Sequence, residues 1–285
     1  MDIGVFQILP GTEADPAKVA KRAEELGFDS YWVPEHPIYP IKGSVPYPGG
    51  APEDPPPDYL WQMPDPFIAL ARASAVTEKI KLGTGVCLVP ERNPLLMAKE
   101  IASLDAYSGG RFLFGIGGGW HKEECEIMGG DYDRRWGQTK DSILAMKQLW
   151  TQDVSEYHGK YYDFPPVKSF PKPANTPHPP VILGGVSAQR VFKRVVEWGD
   201  GWMPLVESVD DIGSGVSALR QYSEEAGRDP NSIDVTAFSL PGQWETGDDV
   251  QALEKAGANR MVLWLGKGDL EHMYARLERF AGAML

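Results

Sequence analysis

Cysteine is almost missing from this chain. Cys87 and Cys125 are the only two in 285 residues, too few for a disulfide framework, and they lack the Cys-x-x-Cys spacing of a redox pair, so both read as free thiols. Long apolar runs are missing as well: no stretch approaches the roughly eighteen unbroken apolar residues that a bilayer span requires. The opening MDIGVFQILPG enters a strand with no basic segment before it, and the expected location is the cytoplasm. Positive charge is scarce, with 28 Lys and Arg against 40 Asp and Glu and a net charge of −12. Over most of its area such a surface repels nucleic acid and anionic membrane, and neither is expected as a partner, while a local basic pocket stays open.

Several signatures are also absent. The run Gly117-Gly118-Gly119 follows a strand but lacks the Gly-x-Gly-x-x-Gly spacing of a dinucleotide fold and the Gly-Lys-Ser/Thr of a phosphate loop. His121, Glu123, Glu124, Cys125 and Glu126 match no zinc spacing and read as the solvated start of a helix, so no metal is expected. A barrel glycosidase needs two carboxyl groups flanking its cleft, yet the seventh candidate strand ends Ser239-Leu240-Pro241-Gly242 with no acid.

What is present alternates strand and helix from end to end. Ile80 to Trp120 reads strand, helix, strand, and Phe112 to Ile116 is apolar on successive residues, as a parallel strand covered on both faces requires. Candidate strands are Asp2–Leu9, Ser30–Val33, Ile80–Thr84, Arg111–Ile116, Val181–Gly184, Gly201–Pro204, Ser232–Ser239 and Arg260–Leu265. Asp15-Pro16, Asp65-Pro66 and Asn93-Pro94 each set a capping side chain before a proline suited to the first helical position. Gly27, after the stripe Val19, Ala23 and Leu26, reads as a left-handed helix stop, and Gly199, after Val191, Val195 and Trp198, repeats the arrangement. Leu270, Met273, Leu277 and Phe280 give the last helix one apolar face.

Eight such units, with outer strands as apolar as inner ones, predict a closed (β/α)₈ TIM barrel with long insertions at its C-terminal face, spanning 1–285 as one domain. A split into two domains near 153–178 is the competing reading; four strands alone do not close, so that aperiodic stretch reads as an insertion. The other insertion, 34–64, holds ten prolines in 31 residues together with Tyr39, Tyr47, Tyr59 and Trp61. It cannot be helical, and its aromatics favour an ordered flap over the barrel mouth.

At that mouth, Pro34 and Pro37 hold Glu35-His36 in an extended backbone. His36 is the candidate general acid or base, with Glu35 setting its tautomer. Gly117, Gly118 and Gly119 let a flat or phosphorylated ligand lie on bare backbone. Gly184, Gly185, Val186 and Ser187 end a strand and open a helix, a site for a phosphate that Arg190, Lys193 or Arg194 could reinforce.

Taken together, EELGFDSYWVPEH, LGTGVCLVPERNPLLMAKEIASLDAYSGGRFLFGIGGGWHKEE, FPPVKSFPKPANTPHPPVILGGVS and VVEWGDGWMP resemble the bacterial luciferase-like monooxygenase superfamily, and within it the branch using the deazaflavin coenzyme F-420. The resemblance implies a hydride-transferring oxidoreductase, with a non-proline cis peptide joining Gly85 to Val86 behind the coenzyme ring. It carries Thr84, Gly85, Val86, Gly117, Gly118, Gly119 and Trp120 to the ring and ribityl chain, and Gly184, Gly185, Val186 and Ser187 to the phosphate. His36, assisted by Glu35, falls where related enzymes place the histidine nearest the reacting carbon, while Tyr39 and Trp61, with Trp120, shape an apolar substrate pocket. Deazaflavin sugar-phosphate dehydrogenases carry an acid after the glycine run where this chain has Trp120, which sets that substrate aside. The alternatives are an FMN-dependent monooxygenase on the same barrel, using reduced flavin and oxygen, and a barrel that binds its cofactor without turnover. A homodimer is expected, since helices outside a barrel often pair.

Overall fold

Each Asx-Pro pair starts a helix where the sequence places it. In the computed structural model, which describes residues 1–48, 55–205 and 208–285, Asp15 accepts from Ala17 N at 3.0 Å. Asp65 accepts from Phe67 N (2.9 Å) and Ile68 N (3.0 Å), and Asn93 from Leu95 N (3.0 Å) and Leu96 N (3.2 Å). These bonds satisfy first-turn donors that a helix leaves open, and the following proline has no N–H to lose.

In chain order the strands are β1 (Asp2–Gln7), β2 (Ser30–Val33), β3 (Lys81–Thr84), β4 (Cys87–Leu88), β5 (Phe112–Gly117), β6 (Ser155–His158), β7 (Asp163–Val167), β8 (Val181–Gly184), β9 (Gly201–Met203), β10 (Asp234–Phe238) and β11 (Arg260–Gly266). The helices are α1 (Pro16–Leu26), α2 (Pro66–Ser74), α3 (Pro94–Ser108), α4 (Lys122–Ile127), α5 (Arg135–Thr151), α6 (Gln189–Trp198), α7 (Val209–Glu225), α8 (Gly247–Ala256) and α9 (Leu270–Met284). Strands β3, β2, β1, β11, β10, β9, β8 and β5 pair in parallel around a circle that the β3–β5 pairing closes, and the eight are the eight expected. All six residues of β5 are buried, which is why its sequence runs apolar without alternation. Among the described residues no helix is long and apolar enough to cross a membrane.

Two expectations need correction. Gly199 ends α6 in extended backbone (φ −94°, ψ 172°) and not in the left-handed region. It is glycine for room, because a Cβ there would stand 2.5 Å from Leu183 Cδ1. The stretch 153–178 is not wholly irregular: β6 and β7 form an antiparallel hairpin. Asp141 of α5 gathers it, accepting from Tyr157 Oη (2.8 Å), Tyr161 N (2.7 Å) and Tyr162 N (3.0 Å). An anchor supplied by another helix leaves no periodic trace in the hairpin's own sequence. Of the flap 34–64, residues 49–54 lie outside the described residues.

Inside the barrel, Phe6, Trp32, Leu113, Met203, Phe238 and Val262 pack together. The N-terminal end is closed by ions: Arg260, 4% exposed, donates to Asp29 Oδ2 (2.9 Å) and Thr236 Oγ1 (3.0 Å), with Asp234 and Asp2 each at 3.4 Å.

A second carboxylate clamps a turn. Glu24 Oε2 on α1 accepts from the backbone N of Glu78 (2.8 Å), Lys79 (2.6 Å) and Ile80 (3.0 Å) just before β3. Burial pushes this carboxyl up, but the three N–H donors outweigh burial and hold it at about 2, against an ordinary 4.5. A folded value below the unfolded one stabilises the fold fully above about pH 4.5, and the stabilisation is lost as pH falls towards 2. Glu24→Ala should therefore cost about 1–3 kcal/mol at pH 7, with the gap to the parent narrowing by pH 3. Urea unfolding at the two pH values measures this, and an equal gap at both would refute the clamp.

Candidate functional site

Six strands deliver residues to one cavity. Gly85 and Val86 follow β3, Leu88 ends β4, Gly117 ends β5, Gly184 ends β8, Met203 ends β9 and Phe238 ends β10. With Gly119, Trp120, Gly185, Val186, Pro204 and Leu205 they line a space of about 370 Å³. Because these are C-terminal strand ends, the cavity opens on the face where barrel enzymes work. Its lining is almost wholly apolar or bare backbone, suited to a flat ring. The peptide joining Gly85 to Val86 is cis, as the resemblance implies.

The glycine run has its own packing reasons. A Cβ at Gly117 would stand 2.6 Å from Val86 Cγ2, one at Gly118 would stand 3.0 Å from the Trp136 ring, and one at Gly119 would stand 2.8 Å from Glu91 Oε1. Gly119 also has φ +75°, a region that side chains disfavour. The three residues thus turn towards protein where a side chain would go, and Gly117 and Gly119 show backbone to the cavity. Thr84 is turned away from it, fully buried, with its hydroxyl donating to Gly115 O at 2.7 Å.

At the cavity's edge α6 begins with Ala188 in the capping position and no side-chain cap, so first-turn N–H groups have no side-chain acceptor. Ser187 precedes the cap instead of supplying it. Arg194 lies over the Trp136 ring at 4.4 Å. Burial lowers its pKa, and repulsion from Arg190 and Arg135 lowers it further. Arg135 donates to Gly119 O at 3.1 Å. None of these three guanidiniums has a carboxylate ion pair among the described residues, and together they favour an anion beside an uncapped helix start. Lys193 is placed elsewhere, over Tyr222 at 5.6 Å.

The pairing expected between Glu35 and His36 is not made. Glu35 is 4% exposed and turns inward, where Oε2 accepts from Leu88 N (2.7 Å) and Oε1 from Arg92 Nε (2.5 Å). Adjacent residues on an extended backbone point to opposite sides, so His36 faces the other way. Its Nδ1 lies 2.7 Å from Glu124 Oε2 on α4. The stretch read as a solvated helix start is solvated on one face only: Glu126 is exposed, whereas His121 is 2% exposed and Glu124 0%, and His121 caps α4 by accepting from Glu124 N at 3.3 Å.

Aromatic rings enclose the imidazole. Tyr39 meets His36 edge-on at 6.0 Å, Trp120 does so at 5.8 Å, and Trp61 lies 5.5 Å from Tyr39. Tyr47 joins from the flap, 5.8 Å from Trp120, with its hydroxyl 3.0 Å from that of Tyr59. Burial, with the Glu124 charge second, pushes the Tyr39 phenol up, so it stays protonated at neutral pH. Since Trp120 also lines the cavity, it stands between the His36–Glu124 pair and that space. Sequence reasoning missed Glu124, Glu91, Arg92 and Arg135. Each sits in a charged stretch whose composition matches a solvated surface, and only burial distinguishes it.

The sequence model of the luciferase-like monooxygenase family matches residues 10–285. An uncharacterized protein of Mycobacterium tuberculosis is 37% identical over 271 residues, covering 94% of this chain and 93% of that one. The FMNH₂-dependent dimethylsulfone monooxygenase of Pseudomonas putida is 34% identical over 153 residues, 50% of this chain and 42% of that protein. Among solved structures, the coenzyme F-420-dependent tetrahydromethanopterin reductase from Methanopyrus kandleri superposes with a TM-score of 0.73 at 20% identity, covering 99% of this chain and 98% of that one; this is a likeness of fold. With a closed barrel, a strand-end cavity and a match along almost its whole length, the chain belongs to the luciferase-like monooxygenase family.

Proposed function

We propose that this protein is an oxidoreductase that uses the deazaflavin coenzyme F-420 for hydride exchange with an organic substrate. The observation carrying this reading is the His36–Glu124 pair, a buried imidazole–carboxylate couple beside Trp120 at the cavity mouth. Moving a hydride to a carbonyl or from an alcohol also requires a proton on oxygen, and an imidazole with one nitrogen anchored and the other available meets that need.

The residues present fit such a coenzyme. The slot around Val86, Leu88, Gly117 and Gly184 takes a planar ring, and the α6 start with Ser187, Arg190 and Arg194 takes a phosphate. Bound there, a deazaflavin supplies hydride transfer, with carbon in place of the flavin nitrogen making it a poor partner for oxygen. The chain does the rest. Glu124 holds Nδ1 and orients the imidazole, no hydrogen bond engages Nε2 among the described residues, and that nitrogen accepts or returns the substrate proton. Tyr39, Trp61 and Trp120 keep water from it and offer an apolar surface to the substrate.

A second reading, an FMN-dependent monooxygenase, is favoured by the dimethylsulfone monooxygenase similarity over 153 residues. Titrating the purified protein separately with F-420 and with FMN, followed by fluorescence quenching, decides between them. The deazaflavin should bind and FMN should bind weakly; tight binding of FMN alone would overturn the proposal in favour of the second reading.

A further inference from the structure

Behind the Gly119 turn lies a carboxyl that the acid–base pair does not use directly. Glu91, in the short turn of helix Val89–Glu91, is 1% exposed, and neither of its oxygens has a hydrogen-bond partner. Its Oε1 fills the notch left by the missing side chain of Gly119, where a Cβ would stand 2.8 Å away. Gly119 is itself part of the cavity wall. Glu124 is 0% exposed, and its Oε1 is likewise without a partner while Oε2 holds His36. Two fully buried carboxyls thus have three unpartnered oxygens between them in one corner of the site.

A buried carboxylate with no donor is costly, and two together are worse, so such a pair retains a proton. The groups facing Glu91 determine which member keeps it. Glu124 comes from α4 and Glu35 from the turn after β2, and both are acidic; Arg92 is the cation, but it is engaged by Glu35 and Asp65. The Cys125 thiol also feels the Glu91 charge. Glu124 has a hydrogen-bonding imidazole to stabilise a negative charge and Glu91 has nothing. Burial, then the charges of Glu124 and Glu35, push the Glu91 carboxyl up to about 9.

We propose that Glu91 is a positioning residue that keeps the one proton of the Glu91–Glu124 corner, leaving Glu124 as the carboxylate that accepts from His36 Nδ1–H. The neutral histidine then has its lone pair on Nε2, the tautomer needed to take a proton from a substrate. Were the proton on Glu124 instead, Nδ1 would accept it and the free nitrogen would carry hydrogen. The importance of this tautomer for turnover rests on the function proposed above, but the proton's location is a property of the chain alone.

The test therefore uses the coenzyme-free protein. Glu side chains carrying a carboxyl ¹³C label are titrated by NMR, with Glu91→Gln identifying the signal, and the His36 ring is followed by ¹⁵N. At pH 7 the Glu91 carboxyl should be protonated and the His36 ring should show hydrogen on Nδ1. In Glu124→Gln the Glu91 midpoint should fall by about 1 pH unit or more, as expected on losing a neighbouring like charge. In Glu91→Gln the alkaline change in the His36 signals, caused by Glu91 ionising, should vanish. An ionised Glu91 at pH 7, a midpoint unmoved in Glu124→Gln, or a His36 ring with hydrogen on Nε2 and none on Nδ1 would each overturn the proposal. None of these readouts depends on which coenzyme binds.

Discussion

Replacing His36 by alanine should lower turnover by about 10²–10⁴-fold, the range for losing a positioned general acid or base, while affinity for the coenzyme stays close to that of the parent. The separation follows from the geometry. The cavity wall is built from Val86, Leu88, the glycine turn and the β8–β10 ends, and His36 is not part of it; the imidazole stands beside Trp120 with Nδ1 on Glu124. Steady-state turnover and a binding titration on the same variant measure the two effects. Full turnover in His36→Ala would remove the residue from the mechanism, and equal loss of binding and turnover would make it a structural part of the slot. A Glu124→Gln variant should show a smaller loss in the same direction, because Gln keeps the contact but not the charge.

The second large effect is on stability, at the other end of the barrel. Arg260→Met removes the cation from a cluster of Asp2, Asp29 and Asp234. Burial pushes the Asp29 carboxyl up, but Lys81 and Arg260 outweigh burial and hold it below its ordinary value. Without Arg260, three carboxylates face one another with Lys81 as the remaining near cation. Breaking a buried pair from one side costs about 3–5 kcal/mol; since Asp2 is about half-exposed and water screens it, about 3 kcal/mol is expected here. Because the surviving carboxylates repel when ionised, the deficit should shrink as pH falls towards their protonation. Denaturant unfolding at pH 7 and pH 4 reads both features, and a loss under about 1 kcal/mol at pH 7 would mean that the cluster is only a solvated surface network.

The parts of the fold that were legible in sequence are those governed by neighbours in the chain. Asp15, Asp65 and Asn93 announced their helices because a cap and its N–H partners lie two or three residues apart. The β5 run declared a two-sided strand because all six of its residues are covered. Gly27 is the left-handed stop that its helix stripe predicts (φ 96°), whereas Gly199 has the same local setting and a different cause: the space that Leu183 leaves it from another strand. The hairpin β6–β7 escaped for the same reason, as its anchor, Asp141, sits on a helix.

In the candidate site the division is sharper. Sequence alone determined the barrel, its eight strands, the caps and the presence of a histidine and a glycine turn at the C-terminal face, since each follows from periodicity or from residue types within a few positions. Only the tertiary structure decided who partners whom. Glu35 and His36 are adjacent in sequence but are sent to opposite sides by an extended backbone, so that Arg92 claims one and Glu124, 88 residues away, claims the other. Burial did the same for Glu91 and Glu124: the charge that composition assigns to solvent becomes, once water is removed, the group on which the protonation of the site turns.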